Sequence, residues 1–317
     1  MSLRVLEAGL CTMIVDGGRP RTRSLGVPPG GAADASAYAL GNAMLGNSPE
    51  AAALEITLAG PVLEALSRTA AVVFGAPFAL SCGTRRFLTN HSFTLDPGDV
   101  LHIGGTPYGA RAYLCVFGGL QTPEILGSRS SLAPGRRDDE LTCSESSAPN
   151  RVVHQVFDWP YVPTMSPQLA AKERILRVLP GPEADWFEKG VRNLFQEKKT
   201  PTPYSVRPES SRMGLRLAGE ALPTPPREMI SQPVAPGAIQ VTREGQLILI
   251  GVEGQTIGGY PRIGHVISPD LDLVGQLRPG DQVGFHAVTL DEAERLGSQK
   301  RDLLRRWCLR LRAAAAT

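Results

Sequence analysis

The chain has 317 residues, with 33 Lys and Arg against 31 Asp and Glu, so its net charge is close to zero. This balance excludes the strong positive field that is typical of proteins that bind nucleic acid or an acidic membrane surface. The five cysteines form no CxxC pair and the five histidines have no metal-ligand spacing, which argues against a metal site. We find no signal segment or membrane-spanning run and expect a cytoplasmic protein.

Most of the chain is predicted to form short β-strands, because 34 glycines and 27 prolines interrupt it. The predicted strands are short apolar or alternating runs that end at Gly, Pro or Asp. In chain order they are 70–74, 92–95, 100–103, 112–117, 152–156, 175–179, 238–241, 247–250 and 282–285. We therefore expect a mainly β protein with a few short helices.

Three segments have helical patterns. The segment 34–44 starts with Asp34, a common N-cap residue, and stops before a glycine. A second helix is expected to open at Pro182, with acidic residues in its first turn. The apolar face of this second helix would consist of Phe187, Val191, Leu194 and Phe195. A capping box beginning at Thr289 predicts a basic amphipathic helix over 289–317.

A short internal repeat connects the two halves of the chain. LDPGDV at 95–100 recurs as LRPGDQ at 277–282, and each is a Pro-Gly turn that leads into a strand. Segment 136–151, rich in charge and serine, has the composition of a loose loop that separates the halves. We expect two related barrels. The first lobe would cover 1–150 and the second 151–288, followed by the C-terminal helix over 289–317.

Two clusters in the first half have groups that suit an anion. Arg19 offers a planar fork for a carboxylate or phosphate, and glycines beside it allow a ligand to approach the backbone. A structural pair between Asp16 and Arg19 that holds a turn is an open alternative. GSRSS at 127–131 combines backbone N–H groups, hydroxyls and the Arg129 guanidinium into a possible anion cradle, although Ser and Gly also simply build turns.

Two clusters in the second half complete the set. In SRMGLRL at 211–217, an extended backbone would place Arg212 and Arg216 on one face, where both could grip one anionic group. Alternatively, each arginine pairs with an acid elsewhere. EGQTIGGYP at 253–261 supplies amide and hydroxyl groups, which suit an uncharged amide or urea-like substrate that needs both donors and acceptors.

Taken together, these motifs resemble one family. The matching segments are LGVPPGGAAD at 25–34, GNAMLGN at 41–47, GG at 118–119, GSRSS at 127–131, SRMGLRL at 211–217, PGAIQ at 236–240 and EGQTIGGYP at 253–261. They are similar to the carboxyltransferase-domain family that includes allophanate hydrolase subunit 2, the urea amidolyase-related proteins and the C subunit of 5-oxoprolinase. The resemblance implies two cyclophilin-like β-barrel lobes. It also implies that Val15, Gly30, Ser211 and Ile257 replace the Gln, Ser, Asp and Thr that relatives usually carry.

The resemblance further implies one component of an ATP-dependent amide or lactam hydrolase complex, which acts on a small amide and is inactive alone. Its partners would be a B-type sister protein and an A-type protein that handles the lactam, with no nucleic acid or membrane. ATP with Mg²⁺ would act at the level of the complex, and no cofactor would be bound covalently. A urea-type carboxyltransferase in a biotin-dependent assembly and a non-catalytic regulatory binding protein are the alternatives.

The motifs also give a set of candidate site residues. We predict catalytic roles for Glu253 and Tyr260. The predicted substrate-binding residues are Asp16, Arg19, Arg129, Arg212, Arg216, Gln240, Gln255, Thr256, Gly258 and Gly259.

Overall fold

The structure is a computed structural model that describes residues 2–143, 173–187, 194–195, 204–224, 226–227 and 229–316. The chain divides into two compact units. The first takes its residues from 1–19, 30–169 and 302–317, and the second from 20–29 and 170–301. Residues 20–29 therefore group with the second unit, which the sequence does not predict. The expected lobe boundary at 150 lies outside the described residues.

In the described residues, the first unit contains eleven strands and one complete helix. They are β1 (Ser2–Glu7), β2 (Cys11–Val15), α1 (Ala35–Met44), β3 (Ala53–Thr57), β4 (Val62–Ala65), β5 (Thr69–Gly75), β6 (Leu80–Cys82), β7 (Arg85–Phe87), β8 (Ser92–Leu95), β9 (Val100–Ile103), β10 (Arg111–Val116) and β11 (Glu140–Thr142). The strands form two antiparallel sheets in the orders β11-β1-β4-β9-β6-β7 and β2-β3-β10-β5-β8. Side chains from both sheets, such as Leu63 and Ile56, share one buried core.

The second unit contains a closed barrel. Its described elements are β12 (Glu173–Pro180), β13 (Tyr204–Val206), β14 (Gly214–Ala218), β15 (Gln232–Pro233), β16 (Ala238–Val241), β17 (Leu247–Ile250), β18 (Ile257–Gly258), β19 (Arg262–Val266), α2 (Leu271–Gly275), β20 (Gln282–Ala287) and the start of α3 (Leu290–Ala316). The barrel order is β12-β19-β16-β17-β14-β13-β20, and the parallel pair β12 and β20 closes it. β15 and β18 form a separate two-stranded arm, called the β15–β18 arm below.

Strands β12 and β14 of the barrel follow the two-residue alternation of a half-buried strand, whereas β16 is buried along its whole length. In β14, Leu215 and Leu217 point into the barrel core, whereas Arg216 between them is exposed. The mainly β fold expected from the sequence is therefore confirmed. All predicted strands in the described residues are present, and the predicted strand 152–156 lies outside them.

The repeated Pro-Gly turn has the same structure in both units. Gly98 and Gly280 have φ of 87° and 90°, as the third residue of a type II turn requires. In the first turn, the N–H of Asp99 donates to the carbonyl of Asp96, and the Asp99 carboxylate accepts the N–H of Asp96. In the second turn, Asp281 makes the same two hydrogen bonds with Arg278. The sequence echo therefore reflects an equivalent local structure.

The predicted helices have three outcomes. α1 is confirmed, with Asp34 accepting a hydrogen bond from the N–H of Ala37 at 2.9 Å. α3 is confirmed as well, and the N–H of Glu292 donates to Thr289 Oγ1 at 3.2 Å. The second helix is described as a 3₁₀ turn at Ala184–Phe187 and as helical residues 194–195, while Val191 lies outside the described residues.

One local prediction is wrong. Segment 136–151 contains β11, so it is not a loose loop over Glu140–Thr142. Leu141 pairs with Leu3 of β1, a strand distant in sequence, which local composition does not reveal.

Within the described ranges, no helix combines the length and apolar character needed to cross a membrane.

Candidate functional site

The predicted anion cradle in the first unit holds a carboxylate of the chain itself. Asp16 is buried, and its oxygens accept hydrogen bonds from Ser128 Oγ at 2.6 Å and Ser130 Oγ at 2.7 Å. The backbone N–H groups of Arg129 and Gly18 donate to the same carboxylate at 2.6 and 2.8 Å. Burial alone would raise the pKa of Asp16, but these four hydrogen bonds together hold it below its usual range. The hydroxyls of Ser128 and Ser130 in this loop are therefore engaged with Asp16.

The two arginines of this region also bond within the first unit. Arg19 is buried and donates to the carbonyl of Ser130 at 2.5 Å, so the 127–131 loop contacts both Arg19 and Asp16. Arg129 donates to the carbonyl of Thr122 and forms an ion pair with Glu124 at 3.0 Å. These contacts give Asp16, Arg19 and Arg129 a structural role. That the three residues also contact substrate stays a prediction.

A buried polar network that sequence reasoning missed supports the loop before α1. Glu55 on β3 accepts hydrogen bonds from the Tyr113 hydroxyl at 2.8 Å and the N–H of Ala33 at 2.9 Å, and it pairs with Arg111 at 3.2 Å. The Tyr113 hydroxyl in turn accepts the N–H of Asp34 at 2.7 Å. Burial first, and then the charge of Glu55, raises the pKa of Tyr113 well above its usual range. Tyr113 therefore stays protonated and links Glu55 to the N-cap of α1.

Two candidates of the second unit form an ion pair. Arg212 Nε donates to Glu253 Oε1 at 2.8 Å, and the N–H of Glu253 donates to the carbonyl of Arg212 at 3.1 Å. Arg212 lies in a turn, so the strand alternation that would place it beside Arg216 does not reach it. The expected common face of the two arginines is therefore wrong. The alternative, in which an arginine pairs with an acid elsewhere, holds for Arg212.

Alanine substitutions of buried Arg212 and exposed Arg216 should have different effects on the free energy of unfolding. We expect Arg212→Ala to lower the free energy of unfolding by about 3 kcal/mol, because it removes one partner of a largely buried ion pair. Arg216→Ala should change it by less than about 0.5 kcal/mol, because the side chain is exposed. Urea denaturation of both variants gives the comparison, and equal losses would contradict this assignment.

Most remaining candidates of the second unit come together at the β15–β18 arm. Gln240 is almost fully buried on β16, and its Nε2 donates to the carbonyl of Tyr260 at 3.4 Å. Gln255 Nε2 approaches Gln240 Oε1 at 3.5 Å. Both distances exceed the usual 2.7–3.2 Å of an N–H···O bond, so the Gln240 amide is held loosely for a buried group. We call Gln240, Gln255, Gly258 and Tyr260 the amide cluster.

The two glycines of the arm differ in what surrounds them. A Cβ on Gly258 would lie 2.7 Å from the side-chain nitrogens of both Gln240 and Gln255. A Cβ on the exposed Gly259 would contact only Ser231 Oγ, at an ordinary 3.5 Å. A side chain at position 258 would collide with the two amide groups, so this position requires glycine. At position 259, no described residue would collide with a Cβ.

Thr256 lies in the chain next to Gln255 of the amide cluster, and Tyr260 belongs to the cluster. Thr256 is buried, and its carbonyl accepts the N–H of Val234 at 2.8 Å, which fixes one side of the arm. Tyr260 is half-buried, and its hydroxyl makes no hydrogen bond to a described residue.

Arginines outside the predicted set hold the arm in place. Arg262 forms a two-pronged ion pair with Glu183 at 3.0 Å and donates to the Pro233 carbonyl at 2.9 Å. Arg23 donates to the carbonyl of Val234. Sequence reasoning missed both arginines because their partners are remote along the chain.

His265 on β19 is a further residue that the sequence treats as an ordinary structural histidine. Burial, and then the positive charge of Arg23, lowers the pKa of His265 below its usual value of 6.5. The imidazole is therefore neutral near pH 7, and a neutral imidazole can accept a proton. In the described part of the chain, no group of three or more His, Cys, Asp or Glu side chains is arranged to hold a metal ion.

The lowered pKa of His265 predicts a pH-dependent loss of stability. The unfolded chain binds the proton as pH falls through about 6.5, while folded His265 stays neutral until a lower pH. We therefore expect the free energy of unfolding to decrease as pH falls through this window. His265→Gln should remove part of that decrease. Urea denaturation between about pH 5 and pH 8 measures it, with His102→Gln at an exposed position as the control. Parallel curves for wild type and His265→Gln would contradict the prediction.

Comparison with known proteins identifies the family. The family model for carboxyltransferase domain, subdomain A and B, matches residues 25–287. The chain belongs to this carboxyltransferase-domain family. The match confirms the resemblance inferred from the motifs. It includes all the candidates of the second unit and Arg129, whereas Asp16 and Arg19 precede it. The roles of individual candidates stay predictions.

Relatives of the family match this chain over different shares of their own length. The C subunit of 5-oxoprolinase from Escherichia coli (strain K12) is 32% identical over 302 residues, which cover 92% of this chain and 93% of that protein. The Haemophilus influenzae protein of the same name is 28% identical over 92% of this chain and 93% of its own length. The crystal structure of Kluyveromyces lactis urea carboxylase has a TM-score of 0.83 and 27% identity, covering 96% of this chain but only 29% of that chain.

Proposed function

We propose that the chain is one component of an ATP-dependent amide or lactam hydrolase complex of the 5-oxoprolinase type. The amide cluster carries this proposal, because a buried glutamine with only long hydrogen bonds lies where backbone and side-chain groups converge. An amide substrate has one carbonyl acceptor and one N–H donor. The Gln240 amide offers both complementary groups and can exchange its 3.4 and 3.5 Å contacts for shorter ones.

The remaining residues of the region would orient this substrate. Tyr260 would donate its free hydroxyl to the substrate, and Gly259 leaves room for close approach to the backbone. Glu253 uses Oε1 for Arg212, and its Oε2 has no partner among the described residues. Arg212 would therefore orient Glu253 so that Oε2 can accept a proton from substrate or water.

ATP with Mg²⁺ would supply the activation of the lactam, since phosphorylation of its oxygen converts a poor electrophile into a reactive imidate. We assign ATP to the level of the complex. The loop at 127–131 fits a nucleotide phosphate poorly, because the hydroxyls of Ser128 and Ser130 and the N–H of Arg129 already bind Asp16. A B-type sister protein, and an A-type protein that handles the lactam, would be the partners. The near full-length match to proteins named as the C subunit of 5-oxoprolinase supports this arrangement.

Reconstitution tests the proposal. We expect ATP-dependent release of glutamate from 5-oxoproline when the chain is combined with its A-type and B-type partners, and none from the chain alone. Omitting each protein in turn is the control. Turnover by the chain alone would contradict the need for partners, and failure of the complete mixture would contradict the substrate class.

A urea-type carboxyltransferase is the second candidate. It is favoured by the TM-score of 0.83 with the K. lactis urea carboxylase, which covers 96% of this chain. Under this function the amide cluster would bind urea, which also needs donors and acceptors. The test supplies a biotin carboxylase and a biotin carrier together with urea. Carboxyl transfer to urea without turnover of 5-oxoproline would establish the carboxyltransferase function.

A further inference from the structure

Three outward-facing side chains of the barrel form a row across neighbouring strands. Arg216 on β14 pairs with Ile248 on β17, and Ile248 pairs on its other side with Gln240 on β16. Residues directly opposite each other in an antiparallel pair lie on the same face of the sheet, with their Cβ atoms about 5 Å apart. Leu247 and Leu249 belong to the barrel core, so Ile248 between them and the rest of the row lie on the outer face. Gln240 of the amide cluster and Arg216 are therefore separated by about 10 Å, with Ile248 between them.

The side chains of this face differ in how far they are exposed. Gln240 is buried, whereas Ile248 is half-buried against a small apolar cluster that includes Val234. Arg216 is exposed, and so is Gln255, whose Nε2 lies 3.5 Å from Gln240 Oε1. A ligand on this face can therefore reach a side-chain amide at one end of the row and a guanidinium at the other.

The Arg216 guanidinium is not neutralised by an acid of the described residues. Arg216 forms no ion pair with any of them, and its backbone bonds to Ser210 Oγ and to the N–H of Arg207. Glu209 forms its ion pair with Arg207, at 3.2 Å. The pKa of Glu209 is lowered first by a hydrogen bond to its own backbone and then by Arg207, while Arg216 contributes least. The Arg216 guanidinium can thus present its planar fork to a carboxylate through two parallel hydrogen bonds.

We propose that Arg216 binds the carboxylate of the substrate, so that this face selects amides and lactams that carry a negative charge. The inference rests on the proposed function, in which the amide cluster holds the amide of the substrate. Gln255 would bind that amide, and Ile248 would contact the carbon atoms between the two polar groups. Both polar side chains are long, so their ends can approach a ligand that is shorter than the row. 5-Oxoproline is a lactam with a carboxylate, whereas urea is neutral and would not need Arg216.

Binding of 5-oxoproline to the full chain tests the carboxylate contact. The matched probe is 5-oxoprolinamide, in which a neutral amide of the same shape replaces the carboxylate. ATP is left out, so that no phosphoryl group can occupy Arg216. In a methyl-labelled NMR titration, 5-oxoproline should shift the Ile248 methyl signals in a saturable manner, with an affinity about tenfold higher than that of 5-oxoprolinamide. Equal affinities for the two ligands, or Ile248 signals that do not move up to about 50 mM 5-oxoproline, would overturn the proposal.

Variants of the arginine locate the charge that is recognised. Arg216→Ala should lower the affinity for 5-oxoproline to that for 5-oxoprolinamide, and it should leave the affinity for 5-oxoprolinamide unchanged. Arg216→Lys should retain part of the difference, because a point charge replaces the planar fork. Arg243→Ala, at an exposed position in the turn between β16 and β17, should bind both ligands as the wild type does. Equal losses for both ligands in Arg216→Ala would indicate a structural role and overturn the assigned contact.

Reconstitution separates this inference from the proposed function. If the complete mixture releases no glutamate but the binding pattern holds, the hydrolase function is contradicted and the carboxylate contact stands. If the mixture turns over 5-oxoproline and Arg216→Ala has the kcat/KM of the wild type, the carboxylate contact is contradicted and the function stands.

Discussion

Glu55→Ala is expected to lower the free energy of unfolding of the first unit by about 3–5 kcal/mol. The substitution leaves the buried Arg111 guanidinium without this counter-charge, and it removes the acceptor of the Tyr113 hydroxyl and of the N–H of Ala33. For a unit of this size, such a loss corresponds to a melting temperature lower by on the order of 10 °C. Scanning calorimetry measures it.

Two further variants serve as controls for Glu55→Ala. Glu55→Gln retains an acceptor oxygen in nearly the same volume and should cost less than the alanine substitution. Glu64→Ala breaks a partly exposed ion pair with Arg4 and should cost no more than about 1 kcal/mol. If Glu64→Ala and Glu55→Ala have equal effects, the network around Glu55 does not stabilise the unit as described.

Gly258→Ala is expected to reduce the catalytic efficiency of the reconstituted complex by about 10²-fold. The added methyl group must displace the side-chain nitrogens of Gln240 and Gln255, and a displacement of about 1 Å at a substrate contact has an effect of this size. The free energy of unfolding should fall only modestly, because two of the displaced atoms are the ends of flexible side chains, while the third contact, Cγ2 of the buried Val234, lies at 3.0 Å. Steady-state kinetics with 5-oxoproline, together with thermal unfolding of the variant, distinguishes the two effects.

Gly259→Ala is the matched control, since its methyl group meets only Ser231 at an ordinary contact distance. It should retain the stability of the wild type and most of its activity. Gly259→Val should lower activity only if substrate approaches this backbone. Full activity in Gly258→Ala would remove the amide cluster from the proposed site.

The sequence predicts those features of this protein that depend on neighbouring residues. The Pro-Gly turns at Gly98 and Gly280 need a positive φ that glycine adopts readily, and both are found as expected. Asp34 caps α1 because its side chain reaches an N–H three residues away. These features are local, so composition and spacing identify them.

Features that depend on distant residues could not be predicted in the same way. β11 is recognisable only through its pairing with β1, and Asp16 is engaged by serines more than one hundred residues later in the chain. The motif at 211–217 identified Arg212 as noteworthy, but the identity of its partner, Glu253, required the structure. The sequence therefore indicated candidate polar side chains, whereas their hydrogen-bond and ion-pair partners were identified only from the fold.

The parallel pairing of β12 with β20 has a consequence for how the second unit forms. These strands lie near the two ends of the unit's sequence, and they make six consecutive pairs from Glu173↔Gln282 to Val178↔Ala287. A ribosome must therefore release nearly the whole unit before the barrel can close. Until then β12 has an unpaired edge, and such non-local pairing is slow. Nascent chains that stop short of β20 should consequently be the species that chaperones and proteases recognise.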